Sequence, residues 1–364
     1  MTPASDSAPT GRQTLRAVES LMRESLPPGW ELTVKNEPQR GGPDSRWLLK
    51  SLDGQVVTFA LETVTTPDGR KIKDALARLG RGAEALPLIA APYLSPTLRG
   101  LIAERGASFA DATGNARMVA TRPGLFVDRQ GAMKNPWPPT GRLGSLKGRG
   151  AGRAVRALLD FQPPFGVREL AERAHVALGT LSRTVDLLER EGLATRGDRG
   201  EVAALDWEGA LRRWSQDYAF STSNEVEYFL WPRALGLLVQ RLERVEWRYS
   251  ATGALAAHRY ADDAARAGQS YQPVAPARQI AVYVGDPFAA AESLGVRPAV
   301  AGGNVALARP FDPVVFERMP PPVGGLKFVA RPQLAVDLMT GTGREPSEAE
   351  ELIDWMRTDS SWRL

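Results

Sequence analysis

The sequence predicts an α/β protein with more than one domain, and three observations lead to this. The chain has 364 residues, whereas one domain usually takes about 100–200. Its composition of 43% hydrophobic and 24% charged residues is typical of globular proteins with hydrophobic cores. Segments with strand character alternate with amphipathic segments in the first and last thirds, and a Pro- and Gly-rich basic stretch lies between them. About two or three domains are therefore expected.

The N-terminal part predicts a short tail followed by an α/β domain. Residues 1–12 are rich in Pro, Ser, Thr and Ala at their start, which predicts a disordered tail. Across 13–130, apolar runs with strand character are interspersed with helical periodicity. Asp53 and Gly54 separate two such runs and predict a hairpin turn. The spacing of apolar residues predicts an amphipathic helix over 70–81.

A linker is predicted over 131–152, because Pro136, Pro138, Pro139 and then repeated glycines disfavour any regular element. The second half of this linker overlaps the stretch 142–156, RLGSLKGRGAGRAVR, which contains five basic residues and no acidic residue. This stretch carries Arg142, Lys147, Arg149, Arg153 and Arg156. Because like charges without nearby acids attract polyanions, Arg142, Lys147 and Arg149 are predicted to contact phosphates.

Residues 153–213 predict three helices and a hairpin. The second helix is expected over 168–174 and the third over 180–192, with a tight turn between them. In the third helix Leu181, Val185 and Leu188 share one face, which is therefore expected to be buried. The side chains expected on the outer side near its N-terminal end are Thr180, Ser182, Arg183, Thr184 and Asp186.

This order resembles a winged helix-turn-helix domain of the broad MarR/IclR kind, over about 55 residues. Short hydroxyl side chains and an arginine at the start of a second helix suit a major groove, where they donate to base edges and phosphates. In such domains the arginines of the wing flank the minor groove, which implies that role for Arg196 and Arg199. The alternative is a winged helix used only for protein contacts.

The C-terminal part, 214–364, predicts a second α/β domain. Its segments SATGALAAHRYA, QIAVYVGD, GGNVALARPFDPVVF and VARPQLAVDLMTGTGREPSEAEELIDWM resemble the AbiEi antitoxin family of type IV toxin–antitoxin systems and its actinobacterial regulator relatives. The segment APYLSPTLRGLIAERGASFADATGNARMV is similar to longer members of that group. The resemblance implies a DNA-binding repressor with a restriction-endonuclease-like N-terminal domain. Family antitoxins carry the winged helix at the N-terminus, whereas here it is central.

Composition narrows the chemistry. The absence of cysteine excludes disulfides, thiol nucleophiles and cysteine-ligated metals. Only two histidines occur, so a multi-histidine metal site is not expected. His175 in the predicted turn is a candidate phosphate contact, and His258 is expected to be an interior residue. Without an 18-residue apolar run or a secretory signal, the chain is expected in the cytoplasm, with no membrane contact. No cofactor and no metal are expected.

A nuclease function is the enzymatic alternative for the first domain. Restriction-like sites need an acid, then Glu-x-Lys on the next strand, to hold Mg²⁺ and orient the attacking water. Asp44 and Glu62 are suitably ordered, but Val64 stands where the lysine should be. Lys50 on the neighbouring strand is the one conceivable replacement. A degenerate fold retained for binding or dimerisation is therefore expected, without catalytic residues.

Two further polar motifs have competing interpretations. In 111-DATGNAR-117, Asp111, Asn115 and Arg117 form either a phosphate-binding cluster or an Asx-type turn. In the last third, the paired metal-binding acids of a nucleotidyltransferase are missing. Gln333 and Asp337, one helical turn apart, are expected to be capping or surface groups.

The sequence thus predicts a regulator, most simply a repressor, that binds duplex DNA sequence-specifically through a central winged helix. A homodimer is expected, since two-fold dimers usually read inverted repeats. The first alternative is a type IV antitoxin that acts on a cognate toxin or another protein partner. The second, ranked below it, is a Mg²⁺-dependent nuclease.

Overall fold

The computed structural model describes residues 7–35, 42–80, 85–137, 144–274, 276–299, 302–322, 325–358 and 360–364. Within these ranges the protein is a mixed α/β fold with thirteen α-helices and fourteen β-strands. The chain divides into two compact units, one of Met1–Gly144 with Asp186–Thr195 and the other of Ser145–Val185 with Arg196–Leu364. Throughout the described part of the chain, no helix is long and apolar enough to cross a lipid bilayer.

The first unit is built on a seven-stranded mixed sheet. Its helices are α1 (Gly11–Ser25), α2 (Gly69–Leu79) and α3 (Pro96–Glu104). Its strands are β1 (Glu31–Lys35), β2 (Ser45–Lys50), β3 (Val56–Thr63), β4 (Leu86–Ala91), β5 (Ser108–Asp111), β6 (Ala116–Ala120) and β7 (Leu125–Arg129). The strands lie in sequence order across the sheet. The β3–β4 and β4–β5 pairs are parallel, and the other four pairs are antiparallel.

Alternating residues of the central strands supply cores on both faces of this sheet. Leu61 of β3 packs in the core that includes Val18 of α1, whereas its neighbour Ala60 packs in the core that includes Ile72 of α2 and Ile102 of α3. This follows from the two-residue period of a strand. The predicted hairpin and the predicted helix over 70–81 are both confirmed, the hairpin as the antiparallel β2–β3 pair and the helix as α2.

The segment Asp186–Thr195 belongs to the first unit as well, and it approaches the start of α2 closely. A methyl group on Gly69 would lie 2.1 Å from the Cα of Gly192. Lys73 Nζ donates to the carbonyl of Gly192 at 3.5 Å. Glycine at both positions therefore permits this close backbone contact, because a side chain on Gly69 would overlap the backbone of Gly192.

The second unit begins with helices and ends in an α/β arrangement. Its elements are α4 (Arg149–Asp160), α5 (Val167–Arg173), α6 (Leu178–Arg190), β8 (Ala194–Arg196), β9 (Val202–Leu205), α7 (Trp207–Ser215), α8 (Phe220–Ser223), β10 (Glu225–Leu230), α9 (Leu235–Leu242), β11 (Tyr249–Thr252), α10 (Gly253–Arg266), β12 (Ile280–Val284), α11 (Pro287–Leu294), β13 (Arg297–Pro298), β14 (Val305–Arg309), α12 (Arg331–Met339) and α13 (Glu345–Thr358). Two of these elements are shared between the units: the residues of α6 after Val185 and those of β8 up to Thr195 belong to the first unit.

Two sheets are formed by these strands. The larger has the order β11-β12-β14-β10-β13, with β12 and β14 parallel and the other pairs antiparallel. The smaller is the two-stranded ribbon of β8 and β9. Phe165, just before α5, adds an antiparallel bridge to Val202 of β9. The ribbon is thereby tied to the helices that precede it.

Helix α4 starts inside the segment predicted to be a linker, at Arg149 rather than at Arg153. Glycine in a helix costs up to about 1 kcal/mol relative to alanine, which is why the sequence favours a linker here. Burial of the helix outweighs that cost. Gly152 is itself needed for packing, since a methyl group there would lie 2.5 Å from Phe311 Cε2.

Candidate nucleic-acid interface

Helices α5 and α6 are joined by a tight turn, and their apolar faces are buried as predicted. Leu170, Ala174, Leu181 and Val185 are all completely inaccessible to solvent. In the turn His175 is exposed and adopts a left-handed backbone with φ of 52°. Val176 then closes the turn by donating its N–H to the carbonyl of Ala171. This burial fixes which side of α6 remains available to a partner.

The available side of α6 carries Ser182 and Arg183 near its N-terminal end. Arg183 is exposed and Ser182 is half-buried. Thr180 is half-buried, and its hydroxyl accepts a long hydrogen bond of 3.4 Å from Arg183 Nη2. The structure therefore brings Thr180 and Arg183 into contact, and of the three predicted residues Arg183 is the exposed one.

Thr184 does not belong to this surface, and the expectation that it faces outward is wrong. Its side chain is completely buried, and its hydroxyl donates to the carbonyl of Thr180 at 3.0 Å. The reason is geometric. Thr184 follows Leu181 by three residues, so the two lie only about 60° apart around a helix of 3.6 residues per turn. Thr184 therefore lies within the buried stripe of Leu181 and Val185.

The ribbon places two arginines and two acids at its tip. Arg199 is exposed, and its backbone N–H donates to Glu201 Oε2 at 3.1 Å. Arg196 is half-buried, and its Nη1 donates to the carbonyl of Gly200 at 3.3 Å. The two acids, Asp198 and Glu201, make the formal net charge of the tip zero. The sequence argument considered only the two arginines. Arg199 is the more accessible cation of the two.

The predicted phosphate contacts of the basic stretch have different environments. Arg142 lies outside the described residues. Lys147 is exposed and makes no ion pair with any described residue. The Arg149 side chain is 73% exposed, with its Nε 3.7 Å from Asp312 Oδ2. A methyl group on Gly150 would lie 3.4 Å from Thr180 Cγ2, so the start of α4 adjoins the start of α6.

The other two cations of that stretch have acidic partners, so their charges are compensated, contrary to expectation. Arg153 forms ion pairs with Asp312 and Glu317, both at 2.8 Å. Arg156 is fully buried and pairs with Asp160, one helical turn later, at 3.1 Å. These two arginines therefore hold α4 in the protein and are not available to a nucleic acid.

A buried polar cluster lies around Gln333 and Asp337, where the sequence predicted capping or surface groups. Gln333 and Asp337 of α12 are 0% and 3% exposed. Asp337 Oδ1 accepts hydrogen bonds from the hydroxyls of Tyr218 at 2.7 Å and Tyr283 at 2.9 Å. Its Oδ2 accepts one from Thr252 Oγ1 at 2.6 Å. Gln333 Nε2 donates another hydrogen bond to Oδ1 at 2.9 Å, and the Tyr283 hydroxyl also lies 2.9 Å from Oδ2. Both carboxylate oxygens therefore have at least two partners.

Burial dominates the electrostatics of this cluster. Desolvation raises the pKa of Asp337 to about 6, although the surrounding hydroxyl and amide donors oppose the rise. The pKa values of Tyr218 and Tyr283 are raised well above 10 by burial and by the nearby carboxylate. One signal in the sequence pointed to this cluster. Gln333 and Asp337 are flanked by 334-LAV-336 and Leu338, and a helix that is apolar all round is usually buried.

The candidate nuclease residues are not assembled into a site. Glu62 is ion-paired with Arg78 of α2. Asp44 Oδ2 accepts from the backbone N–H of Thr63 at 2.7 Å. Lys50 pairs with Val56, at the opposite end of β3 from Glu62. Six residues of strand separate these positions, or about 20 Å, so Lys50 does not replace the missing lysine.

In the segment 111–117, the structure shows the Asx-type turn and not an open phosphate site. Asp111 Oδ1 accepts from the backbone N–H groups of Thr113 at 2.9 Å and Asn115 at 3.2 Å. Asn115 Nδ2 donates to Asp111 Oδ2 at 2.9 Å, and both residues are fully buried. Arg117 lies instead on β6, with its guanidinium 5.7 Å from the ring centre of Phe126. His258, on α10, is half-buried.

Metal ligands are not grouped in the part of the chain that the structure describes, where no cluster of three or more His, Asp or Glu side chains could hold an ion. Comparisons with protein-family models, with curated protein sequences and with solved structures find no match to this chain. The function of the surface around Arg183 is therefore inferred from its own geometry and charge.

Proposed function

We propose that α4, α5, α6 and the β8–β9 ribbon form a winged helix-turn-helix through which this protein binds duplex DNA as a transcriptional regulator. The observation that carries the proposal is the two-sided character of α6. Leu181 and Val185 are buried on one side, whereas Ser182 and Arg183 are available on the other, in the first half of the helix. Recognition helices of this class present their N-terminal residues to the major groove in the same way.

The available residues divide into two roles. Arg183, as a planar two-pronged donor, suits the O6 and N7 atoms of guanine, and Ser182 can donate to or accept from a neighbouring base edge. Lys147, Arg149 and Arg199 suit phosphates, because they are exposed cations at the start of α4 and at the ribbon tip. The adjacency of Gly150 and Thr180 brings the first two within reach of the same duplex.

Two subunits would supply the specificity that a single recognition helix lacks. A homodimer places two copies of α6 on half-sites about one helical turn of DNA apart, and binding over a promoter then represses transcription. Light scattering of the free chain and of its DNA complex tests this stoichiometry. A monomer in both samples contradicts the dimer but leaves DNA binding by one copy intact.

We place the chain with AbiEi-like regulators that carry a restriction-endonuclease-like first domain. Support comes from the quoted sequence segments and from the first unit, where parallel strands β3, β4 and β5 have helices on both faces. Purification of the native protein from its own cell tests the antitoxin role that this family implies. A stoichiometric protein partner supports that role, and recovery of the chain with DNA alone contradicts it.

The decisive experiment on DNA binding is selection from a random duplex library with the purified full chain, followed by fluorescence-anisotropy titration of the enriched sequence. We expect an enriched motif with inverted symmetry, bound at least about 10³-fold more tightly than a scrambled duplex. Equal affinity for both duplexes at every salt concentration would contradict sequence-specific recognition, and no binding to either would contradict the whole proposal.

A further inference from the structure

A cavity of about 420 Å³ opens beside the start of α4, within the second unit. Its walls come from the residues leading into α4, from the end of α7 and the segment that follows it, and from Phe311. The volume lies within the range of small-molecule binding sites, about 300–1,000 Å³. The lining includes two of the proposed DNA contacts, Lys147 and Arg149, together with Tyr218, whose hydroxyl donates to Asp337.

Three aromatic rings form one wall of the cavity. The ring of Tyr218 has its centre 5.0 Å from that of Trp214 and 5.4 Å from that of Phe311. Trp214 and Tyr218 are buried in the protein, whereas Phe311 is half-exposed and held against Gly152. Phe311 therefore offers an accessible ring to a flat apolar ligand, because aromatic pairs favour offset and edge-on contacts, and the two buried rings hold it in place.

The charged lining of the cavity favours an anion. Lys147 and Arg149 are exposed cations of the lining. Asp217 is the acid of the described lining, but its Oδ2 already accepts from the backbone N–H of Leu146 at 2.7 Å and from Arg213 Nη1 at 2.6 Å. These donors hold the pKa of Asp217 below its usual range in spite of burial, so the carboxylate is internally compensated. Lys147, which has no ion pair with a described residue, and Arg149, whose Nε lies 3.7 Å from Asp312 Oδ2, are therefore the cations beside the accessible ring of Phe311.

We propose that this cavity binds a small aromatic carboxylate, with its ring on Phe311 and its carboxylate at Lys147 and Arg149. An arginine fork matches the two oxygens of a carboxylate, and the lysine adds a point charge. The regulatory part of this inference rests on the proposed DNA-binding function. Because the same two cations are the proposed phosphate contacts beside α6, a carboxylate bound in the cavity competes with phosphate for them, neutralises one unit of their charge and weakens the DNA complex.

Ligand binding is tested first without DNA, by calorimetric titration of the full chain with 2-naphthoate. The neutral isostere 2-naphthalenemethanol and the non-aromatic anion acetate are titrated in parallel. We expect saturable one-to-one binding of 2-naphthoate and at least about tenfold weaker binding of the other two compounds. The alcohol lacks the carboxylate, and acetate lacks the aromatic ring. Absence of saturable naphthoate binding overturns the proposal, as does equal affinity for the neutral isostere.

Variants locate the site. Lys147→Ala should weaken naphthoate about threefold, the scale of one exposed ion pair. Phe311→Leu should weaken it about fivefold by removing one ring contact. The matched control is Arg244→Ala, which removes an exposed cation outside the cavity lining and should change nothing. Lys147→Ala needs no repacking of the core, so unchanged affinity in that variant overturns the assignment even if Phe311→Leu fails to fold.

The DNA arm of the test separates the two proposals. With the selected duplex, saturating 2-naphthoate should weaken binding and lower the slope of log affinity against log salt concentration by about one, because one bound monocarboxylate neutralises one unit of positive charge. If the chain binds naphthoate as expected but no DNA at all, the DNA-binding function fails and the site stands. If it binds both without mutual effect, the coupling is overturned.

Discussion

Arg156 Nη1 donates to Gln333 Oε1 at 3.1 Å, although the two residues are 177 positions apart in the chain. The same guanidinium donates through Nη2 to Asp160 Oδ2 at 3.1 Å. Asp160 in turn accepts from Arg318 Nε at 2.6 Å. A charged, fully buried side chain thereby connects α4, which adjoins the proposed recognition helix, to α12 and its buried polar cluster.

The first prediction concerns this connection. Arg156→Leu removes one member of a buried charged network and leaves the amide of Gln333 without its donor. Because breaking such a pair strands the remaining buried groups, the second unit should lose about 3–5 kcal/mol of unfolding free energy. Urea unfolding followed by circular dichroism measures the loss. Arg149→Ala, which removes an exposed arginine from the same helix, is the control, and equal losses in both variants would contradict the prediction.

Arg183→Ala should cost about 1–3 kcal/mol of affinity for the selected duplex and relax specificity at one base position. The reason is that Arg183 is the one arginine in the N-terminal half of α6, the part that a recognition helix presents to base edges. Anisotropy titrations against duplexes that vary each position measure both effects. A uniform loss over all sequences would instead assign Arg183 to a phosphate.

Lys147→Ala should weaken the binding of specific and scrambled duplexes equally. It should also reduce the slope of log affinity against log salt concentration by about one, since a single phosphate contact releases about one counterion. Titrations from about 50 to 200 mM salt give the slope. A change confined to the specific duplex would show that Lys147 reads sequence.

Thr184→Val tests the corrected placement of that residue. The substitution preserves the shape of a buried side chain and removes its hydrogen bond to the carbonyl of Thr180, so we expect about 1 kcal/mol of lost stability. The affinity for DNA should change less than twofold, whereas Ser182→Ala on the available side should weaken it measurably. A large loss of affinity in folded Thr184→Val would contradict the buried placement.

The fifth prediction concerns pH and Asp337. Its pKa is about 6 in the folded chain and near 3.8 in the unfolded chain, so between these values the folded form retains a proton that the unfolded form has released. The contribution of this group to stability is therefore greatest below about pH 4 and falls as pH rises to about 6. The difference in unfolding free energy between wild type and Asp337→Asn should change by about 3 kcal/mol over this interval. A constant difference from pH 4 to pH 7 would contradict the raised pKa.

Local sequence patterns were sufficient for the elements whose signals are local. The turn residues Asp53 and Gly54 predicted the hairpin, and the spacing of Leu181, Val185 and Leu188 predicted the buried face of α6. By contrast, β10 was not predicted, although it lies between β14 and β13 in the larger sheet. Several of its residues are exposed, so its apolar signal is weak.

Charge compensation could not be predicted, because the partners are distant in sequence. Arg153 has no acidic residue within its own stretch, yet Asp312, 159 residues later, accepts a hydrogen bond from its Nε at 3.0 Å. Gln333 and Asp337 were assigned to the surface because polar side chains usually lie there, whereas their donors come from three other segments of the fold. Only the packing of these segments shows that the two residues are buried.

Helix α4 packs both with the helices next to the ribbon and with the C-terminal part of the second unit, and this limits how the chain can be divided for engineering. This helix supplies the first of the three helices next to the ribbon, and it also packs against α7 and α12. A fragment cut after residue 206 would expose the guanidinium of Arg156 and the carboxylate of Asp160 to water, together with the apolar side of α4. Fusions that transplant the ribbon and its helices to another protein should therefore retain 207–364 as their scaffold.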